Sequence, residues 1–426
     1  MDVLVFEDAV VGQLDPLTTA RPACDLTIGG TTLVEALGHF GPVRRGLRPH
    51  LARHVAALAG SRAALWGGST AAIPSPPPVS SHGGLLLVVN ARVVPSRAAL
   101  VALRSLVEGG RRALVRQGRS IAAALLHVSA DGGGPDQAAA DAILADPTAA
   151  DERIDRLGLP AADVEFDMVA QVHEVVDRHE RSLAGSLAVQ IDSGRFRERR
   201  PGLFVADGAE VADQVVVRDG PVVVDAAAVI GPFVCLDGPI RIGRGARVNP
   251  HAWIRAGTVI GAGCRVGGEV EATVMEPWSN KPHDGFLGHS RLGSWVNLAA
   301  GTITGNLKAT YGPVRLHAPT PDGGRSTIHT GRQFLGALVG DLVRTSINTA
   351  LPCGGRIGVA ATVGGTPPDL VPPFTNLVVP GGERTTAEQA SIVLGRMMER
   401  RGMELHAADR DLLRELSADA SGGRLA

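Results

Sequence analysis

Lysine is almost absent from this chain. Of its 42 lysine and arginine residues only Lys281 and Lys308 are lysine, and the only tyrosine, Tyr311, lies beside the second of them. Two readings stay open: a genome that favours arginine codons, or a compact ammonium needed where a planar guanidinium would not serve. Aromatic residues make up only 3% of 426 residues, whereas glycine and proline number 54 and 28. Thin repeated coils suit that composition better than a bulky aromatic core. The four cysteines, Cys24, Cys235, Cys264 and Cys353, have no CxxC spacing, which excludes a zinc knuckle or a disulfide framework. No apolar run approaches the ~18 residues of a membrane span. The N-terminal MDVLVFED lacks a basic n-region. A cytoplasmic protein with no membrane contact is expected. The net charge of −1, without long charged runs, argues against nucleic acid held by bulk electrostatics. What remains is an ordinary globular balance, 44% hydrophobic and 20% charged, in a length suited to two or three domains.

The first part alternates strand and helix signals. Val3–Phe6 is a short apolar run. Thr31–Leu37 reads as a helix capped by Thr31, Leu85–Val89 as a buried strand, and Arg97–Glu108 as a helix after Ser96. A Pro- and Ser-rich loop is expected over Ile73–Gly84, and a connecting helix over Phe166–Leu183. This is an α/β layer with a parallel or mixed sheet. The charged stretch Arg195–Pro201 marks its end.

Beyond it Val224, Ile230, Leu236, Ile242, Val248, Ile254, Ile260 and Val266 fall six apart, several followed by glycine. Six residues rotate an α-helix by about 600°, so this is no helical face. A hexad is the mark of a parallel β-helix, one strand and one turn per repeat. The phase shifts to Phe286, Leu292 and Leu298, and again to Val339, Thr345, Leu351, Ile357 and Val363. Loops leaving the coil are expected near Met275–Gly285 and Asn306–Arg332, and would carry both lysines and the tyrosine. Past Pro373 two helices are expected, Ala387–Arg400 and Arg410–Leu416, then a frayed end, SGGRLA.

The stretch Ser279–Lys308, SNKPHDGFLGHSRLGSWVNLAAGTITGNLK, resembles the acetyltransferase domain of the GlmU family, and more closely its divergent "alternative GlmU" branch. The matching residues are His283, Phe286-Leu287-Gly288, Val296-Asn297-Leu298, Ala300-Gly301-Thr302 and Asn306. The resemblance implies a left-handed β-helix, trimers, and acetyl-CoA bound between neighbouring coils. Acyl transfer to a sugar amine needs a base with the pKa range of histidine, here His283. Backbone N–H groups of the turn Ala299, Ala300, Gly301 and Thr302 would bind the thioester and its oxyanion. Arg255, in Ile254-Arg255-Ala256-Gly257, resembles the family's phosphate-binding arginine. Lys281 and Lys308 would also meet phosphate, and Asn297 and Asn306 would bind the sugar. The departures are Thr273 at a family lysine position and Phe286 at the usual tyrosine.

In the first domain LDPLTTARPACDL, Leu14–Leu26, resembles the L-x-P-L-T-x-x-R-P-K-x-L segment of sugar-nucleotide pyrophosphorylases. Ala23 replaces their lysine, EDAVVGQ their Gly-rich loop and Asn90 their metal-binding aspartate; Arg21 would supply part of the nucleotide-binding charge. Mg²⁺ is expected only if this domain is active.

The expected architecture is an α/β nucleotidyltransferase-like, Rossmann-like domain over residues 1–194, a left-handed parallel β-helix over 195–375, and a helical tail over 376–426. The expected activity is acetyl-CoA-dependent N-acylation of an amino-sugar phosphate or nucleotide sugar by a homotrimer, with no metal for that step. An active sugar-1-phosphate nucleotidyltransferase in the same chain, or a non-catalytic sugar-nucleotide-binding trimer, are the alternatives. A metal enzyme on the same coil, like the γ-type carbonic anhydrases, would need convergence among His251, His283, His289 and His317.

Overall fold

The computed structural model describes residues 1–58, 84–128, 133–320 and 324–422. The Pro- and Ser-rich loop expected from Ile73 lies outside the described residues except for Gly84, as do the last four residues of SGGRLA.

Three parallel strands, Val43–Gly46, Asp2–Phe6 and Leu85–Asn90, continue into two antiparallel ones, Ser120–His127 and Ala113–Gln117. Leu85–Asn90 is buried throughout, as a central strand covered on both faces should be. Side chains alternate between two cores. Leu4, Phe6, Leu86 and Val88 pack with Ile143 and Ile154 of the helices Pro135–Ala145 and Ala150–Asp155. Val3, Val5, Leu87 and Val89 face a larger core that runs into the second domain. Local signals were legible with small corrections. Thr32, not Thr31, caps the helix Leu33–Leu37, because its hydroxyl and Glu35 form a capping box. The connecting helix begins only at Glu174. Before it, Met168 and Val169 extend alongside Arg92 and Val93, so these apolar residues are buried by a strand-like pairing instead.

The second domain is a parallel β-solenoid. Nine strands from Leu203–Val205 to Leu370–Val371 form one face, capped by the antiparallel strand Arg197–Arg200. The inward column of that face is Val205, Val224, Ile242, Ile260, Met275, Leu292, Val339, Ile357 and Val371, all at most 2% exposed. Corners are turned by residues in the left-handed region, among them Ala227, Phe233, His251, Trp278, Trp295, Leu342 and Asn348, each three positions before an inward side chain. Glycines that follow inward residues are required by the next coil. A Cβ on Gly261 would lie 2.5 Å from the Met275 carbonyl.

Two expectations need correction. No loop leaves the coil at Met275–Gly285; the strands Val274–Met275, Asn280–Lys281 and Phe286–Gly288 stay in the three faces. The hexad loses phase because corners are shortened: inward residues run Val266, Val270, Met275. Leu287, not Phe286, is the buried residue of its strand. The second excursion is real and carries the hairpin Arg315–Pro319 with Arg325–His329.

The helices Ala387–Glu399 and Ala407–Ser421 fold back onto the first domain. His54 and Asp409 meet at 2.8 Å where the second of them packs on the helix Pro49–Leu58. Leu394, Met398, Leu412 and Leu416 share a core with Leu37 and with Trp295 and Phe374 of the solenoid. One face of the sheet, the outside of the coil and the terminal helices thus share one apolar cluster, separate from the coil's own inward column.

Candidate functional site

The strand Asn280–Lys281 ends at a corner, Pro282–Gly285, that leads to Phe286–Gly288. His283 is exposed on this corner. The turn Ala299–Thr302 is stacked on it one coil later: Gly285 has φ 128° and leaves no room for a Cβ beside the Thr302 carbonyl. Gly301, at φ 73°, is closed in the same way by Asn348 of the following coil. The structure therefore brings His283 and the 299–302 turn onto one edge of the coil. Within that turn the Ala299 N–H is engaged by the Thr345 hydroxyl at 2.9 Å, and the hydroxyls of Thr302 and Thr345 meet at 2.7 Å.

Lys281 differs from expectation. It does not sit in an excursion; it occupies an inward hexad position in the column that otherwise holds Val248, Val266 and Leu298, and it is 2% exposed. Its ammonium donates to the Gly267 carbonyl at 2.8 Å and to the His283 carbonyl at 2.9 Å. Burial pushes its pKa down to about 8, against the opposing pull of Asp284. It braces the His283 corner from inside. Lys308 does lie in the excursion and donates to the Pro313 carbonyl at 2.8 Å. Arg255 contacts Glu269 at 3.0 Å and Glu271 at 2.8 Å and lies over the Trp253 ring. A phosphate there would have to displace two carboxylates. Asn297 accepts from Asn280 at 2.8 Å. Asn306 is turned toward His289 at 3.0 Å, and His289 stacks on Phe334. Burial, with Arg332 and Arg255 nearby, pushes His289 down to about 4, so it is a neutral packing group at neutral pH. His251 stacks on Phe233 and His317 neighbours Asp369. Among the described residues no three His, Cys, Asp or Glu side chains are grouped to hold a metal.

Sequence reasoning missed the outward ladder of the face that carries Lys281. Arg247, Arg265, Asn280, Asn297 and Arg344 are successive rungs, in register. Each immediately precedes an inward residue, so the signal was present at every third hexad.

In the first domain the ends of the parallel strands, where α/β sheets bind ligands, are filled from within. Asp8 takes Arg92 at 2.8 and 2.5 Å and the Asn90 amide at 2.9 Å, so both its oxygens are engaged. Glu7 takes Arg48 and the Ala23 N–H. These donors do not fit a resident Mg²⁺: Asp8, the carboxylate that Asn90 bonds, is already neutralised by Arg92. Arg21, expected at a nucleotide, is fully buried against the solenoid instead. It bonds Asp341 at 2.5 Å and Ser294 at 2.6 Å, with Glu276 at 3.3 Å. Glu276 also accepts from the backbone and hydroxyl of Thr27. His179 completes the joint, accepting from the Gly29 N–H and donating to the Gly257 carbonyl; burial, then Arg291, pushes it down to about 3, keeping it neutral.

Residues 3–190 match the family described as "Sugar nucleotidyl transferase". Over 95 residues the chain is 34% identical to a bifunctional sugar-1-phosphate nucleotidylyltransferase/acetyltransferase of Sulfurisphaera tokodaii, and over 96 residues 30% identical to the bifunctional protein GlmU of Methanococcus vannielii. Each match spans 22% of this chain and 22% of the relative. An Arabidopsis UDP-N-acetylglucosamine acyltransferase structure aligns with 46% of this chain and 79% of its own, at 13% identity and a TM-score of 0.20. That likeness adds nothing to the solenoid read directly from its strand ladders.

Proposed function

Taking the chain as a GlmU-like transferase, we propose that its solenoid moves an acyl group, acetyl in the first instance, from acyl-CoA to the amine of an amino-sugar phosphate or nucleotide sugar. The observation that carries this reading is the stacking of the corner that bears His283 on the 299–302 turn, where Gly285 lies against the Thr302 carbonyl. The neutral amine attacks the thioester carbonyl. His283 takes the amine proton as the tetrahedral intermediate forms, and returns it to the departing thiolate. The Ala299 N–H is engaged by Thr345, so Ala300 and Gly301 are the candidates for stabilising the oxyanion. Lys281, holding the His283 carbonyl, is a positioning residue. The expected trimer would set a neighbouring coil beside this edge to complete the acyl-CoA groove. No metal enters these steps.

The first domain is read as a retained scaffold that does not turn over nucleotides, because its strand ends are neutralised by Arg92 and Arg48. Purified protein, acetyl-CoA and a panel of amino-sugar phosphates, followed by free-thiol release, test the reading. Acyl transfer that depends on His283 supports it. Binding without thiol release from any acceptor would favour the non-catalytic trimer.

A further inference from the structure

The outward ladder of the Lys281 face carries charge that no carboxylate among the described residues pairs with. Its rungs are about 4.8 Å apart, so Arg265 and Arg344 bracket the Asn280–Asn297 pair with backbones roughly 14 Å apart. Both arginines are half-buried. Among the described residues neither forms an ion pair with a carboxylate; Arg344 donates to the Thr362 hydroxyl at 2.7 Å. The Arg265 Nε and the Asn280 Oδ1 are buried without a hydrogen-bond partner. Two other half-buried arginines of the solenoid are matched, Arg255 by Glu269 and Glu271 and Arg332 by Asp177 and Glu180, whereas Arg265 and Arg344 stand unmatched on the same ladder. Removing a guanidinium from water without an anion is costly, so an unmatched pair on one strip points to an anion from outside the chain.

We propose that this strip is a phosphate site, in which Arg265 and Arg344 hold the phosphate groups of a phosphorylated ligand whose polar body lies across Asn280 and Asn297. It deepens the acyl-transfer reading and rests on that reading only for the ligand's identity. His283 follows Asn280 by three residues, within about 10 Å of chain, so a ligand on the strip reaches the corner. Arg255, already paired, is not the phosphate ligand. A further cation lies alongside. Arg401, just past the helix Ala387–Glu399, is half-buried, and burial together with Arg265, Arg400 and Arg247 disfavours its charge. A bound phosphate would relieve that repulsion. The ligand's phosphate belongs either to the acceptor sugar or to the acyl carrier, and the two are chemically alike.

Calorimetric titration of the full chain separates these sources. The probes are glucosamine 1-phosphate, adenosine 3′,5′-bisphosphate, and glucosamine as the phosphate-free control. Either phosphate ester should bind, glucosamine much less, and Arg265→Gln or Arg344→Gln should each weaken binding about tenfold or more. Arg255→Gln should leave affinity within about threefold. Unchanged affinity in both strip variants, loss confined to Arg255→Gln, or no phosphate binding to the wild type overturns the proposal. So does a change of sedimentation behaviour in the strip variants with phosphate affinity retained, which would show that a second copy's carboxylates pair with these arginines. Circular dichroism confirms that each variant is folded. Arginine-dependent binding without acyl transfer would leave the site standing and remove the acyl-transfer reading. Acyl transfer with a KM unaffected by either substitution would do the reverse.

Discussion

The strand ends of the first domain and the Lys281 face of the solenoid hold similar materials and use them in opposite ways. At the strand ends arginines are closed onto internal carboxylates, Arg92 on Asp8 and Arg48 on Glu7, and at the joint between the regions Arg21 is closed onto Asp341 of the solenoid. On the solenoid face Arg265 and Arg344 flank two asparagines on the ladder, and among the described residues neither pairs with an acid. A buried ion pair satisfies itself and leaves nothing for a ligand, while an unmatched guanidinium is held ready for one. The difference teaches that similar charged side chains can be closed inside a fold or left on its face, according to which carboxylates packing brings to them.

The sharpest way to break this contrast is to look for pyrophosphate chemistry. The protein with Mg²⁺, each nucleoside triphosphate and N-acetylglucosamine 1-phosphate should release essentially no pyrophosphate. Each missing charge-stabilising group ordinarily costs on the order of 10²–10³ in rate, and both the lysine at Ala23 and the aspartate at Asn90 are missing. Turnover of a few per second would mean that the Asp8–Arg92 pair opens in solution.

Next in size is the solenoid edge. His283→Ala should lower thiol release by roughly 10²–10⁴-fold while circular dichroism stays unchanged, since the side chain is outside the apolar column. Near-normal turnover would move the chemistry elsewhere.

The joint between the regions can be tested by stability. Asp341→Ala leaves the fully buried Arg21 with Glu276 as its remaining carboxylate and should destabilise the fold by about 2–4 kcal/mol, read from denaturant midpoints. A loss under about 1 kcal/mol would mean that water reaches the joint.

A smaller effect concerns Lys281. Its folded pKa, about 8, lies below the ordinary 10.5. Between those values the unfolded chain binds more protons, so this group makes stability rise with pH from about 8 to 10.5 and contributes no slope below that window. Lys281→Met should flatten that rise. It fits the aliphatic column but leaves the Gly267 and His283 carbonyls without their donor, so kcat should fall more than KM changes. Parallel stability profiles in the two proteins would show that the amine is solvated. The smallest effect is local: Thr32→Ala should cost about 1 kcal/mol through the lost cap, measurable as a modest midpoint shift.

What the sequence determined by itself was whatever depends on near neighbours or on a repeating period. Six-residue spacing dictates a coil because each inward side chain must return to one of three faces, and Ser96 or Thr386 starts a helix by satisfying its own backbone. The motif around His283 was legible for the same reason, since its members are contiguous. Tertiary structure decided where shortened corners keep the strands in register, and so turned Lys281 inward. It also decided which arginines meet carboxylates. Arg21 is 320 residues from Asp341 and Arg92 is 84 from Asp8, and no local pattern encodes either pairing. A guanidinium's availability to a ligand depends on which charges packing brings within a few ångströms, and that is settled only when the sheet, the solenoid and the terminal helices pack together.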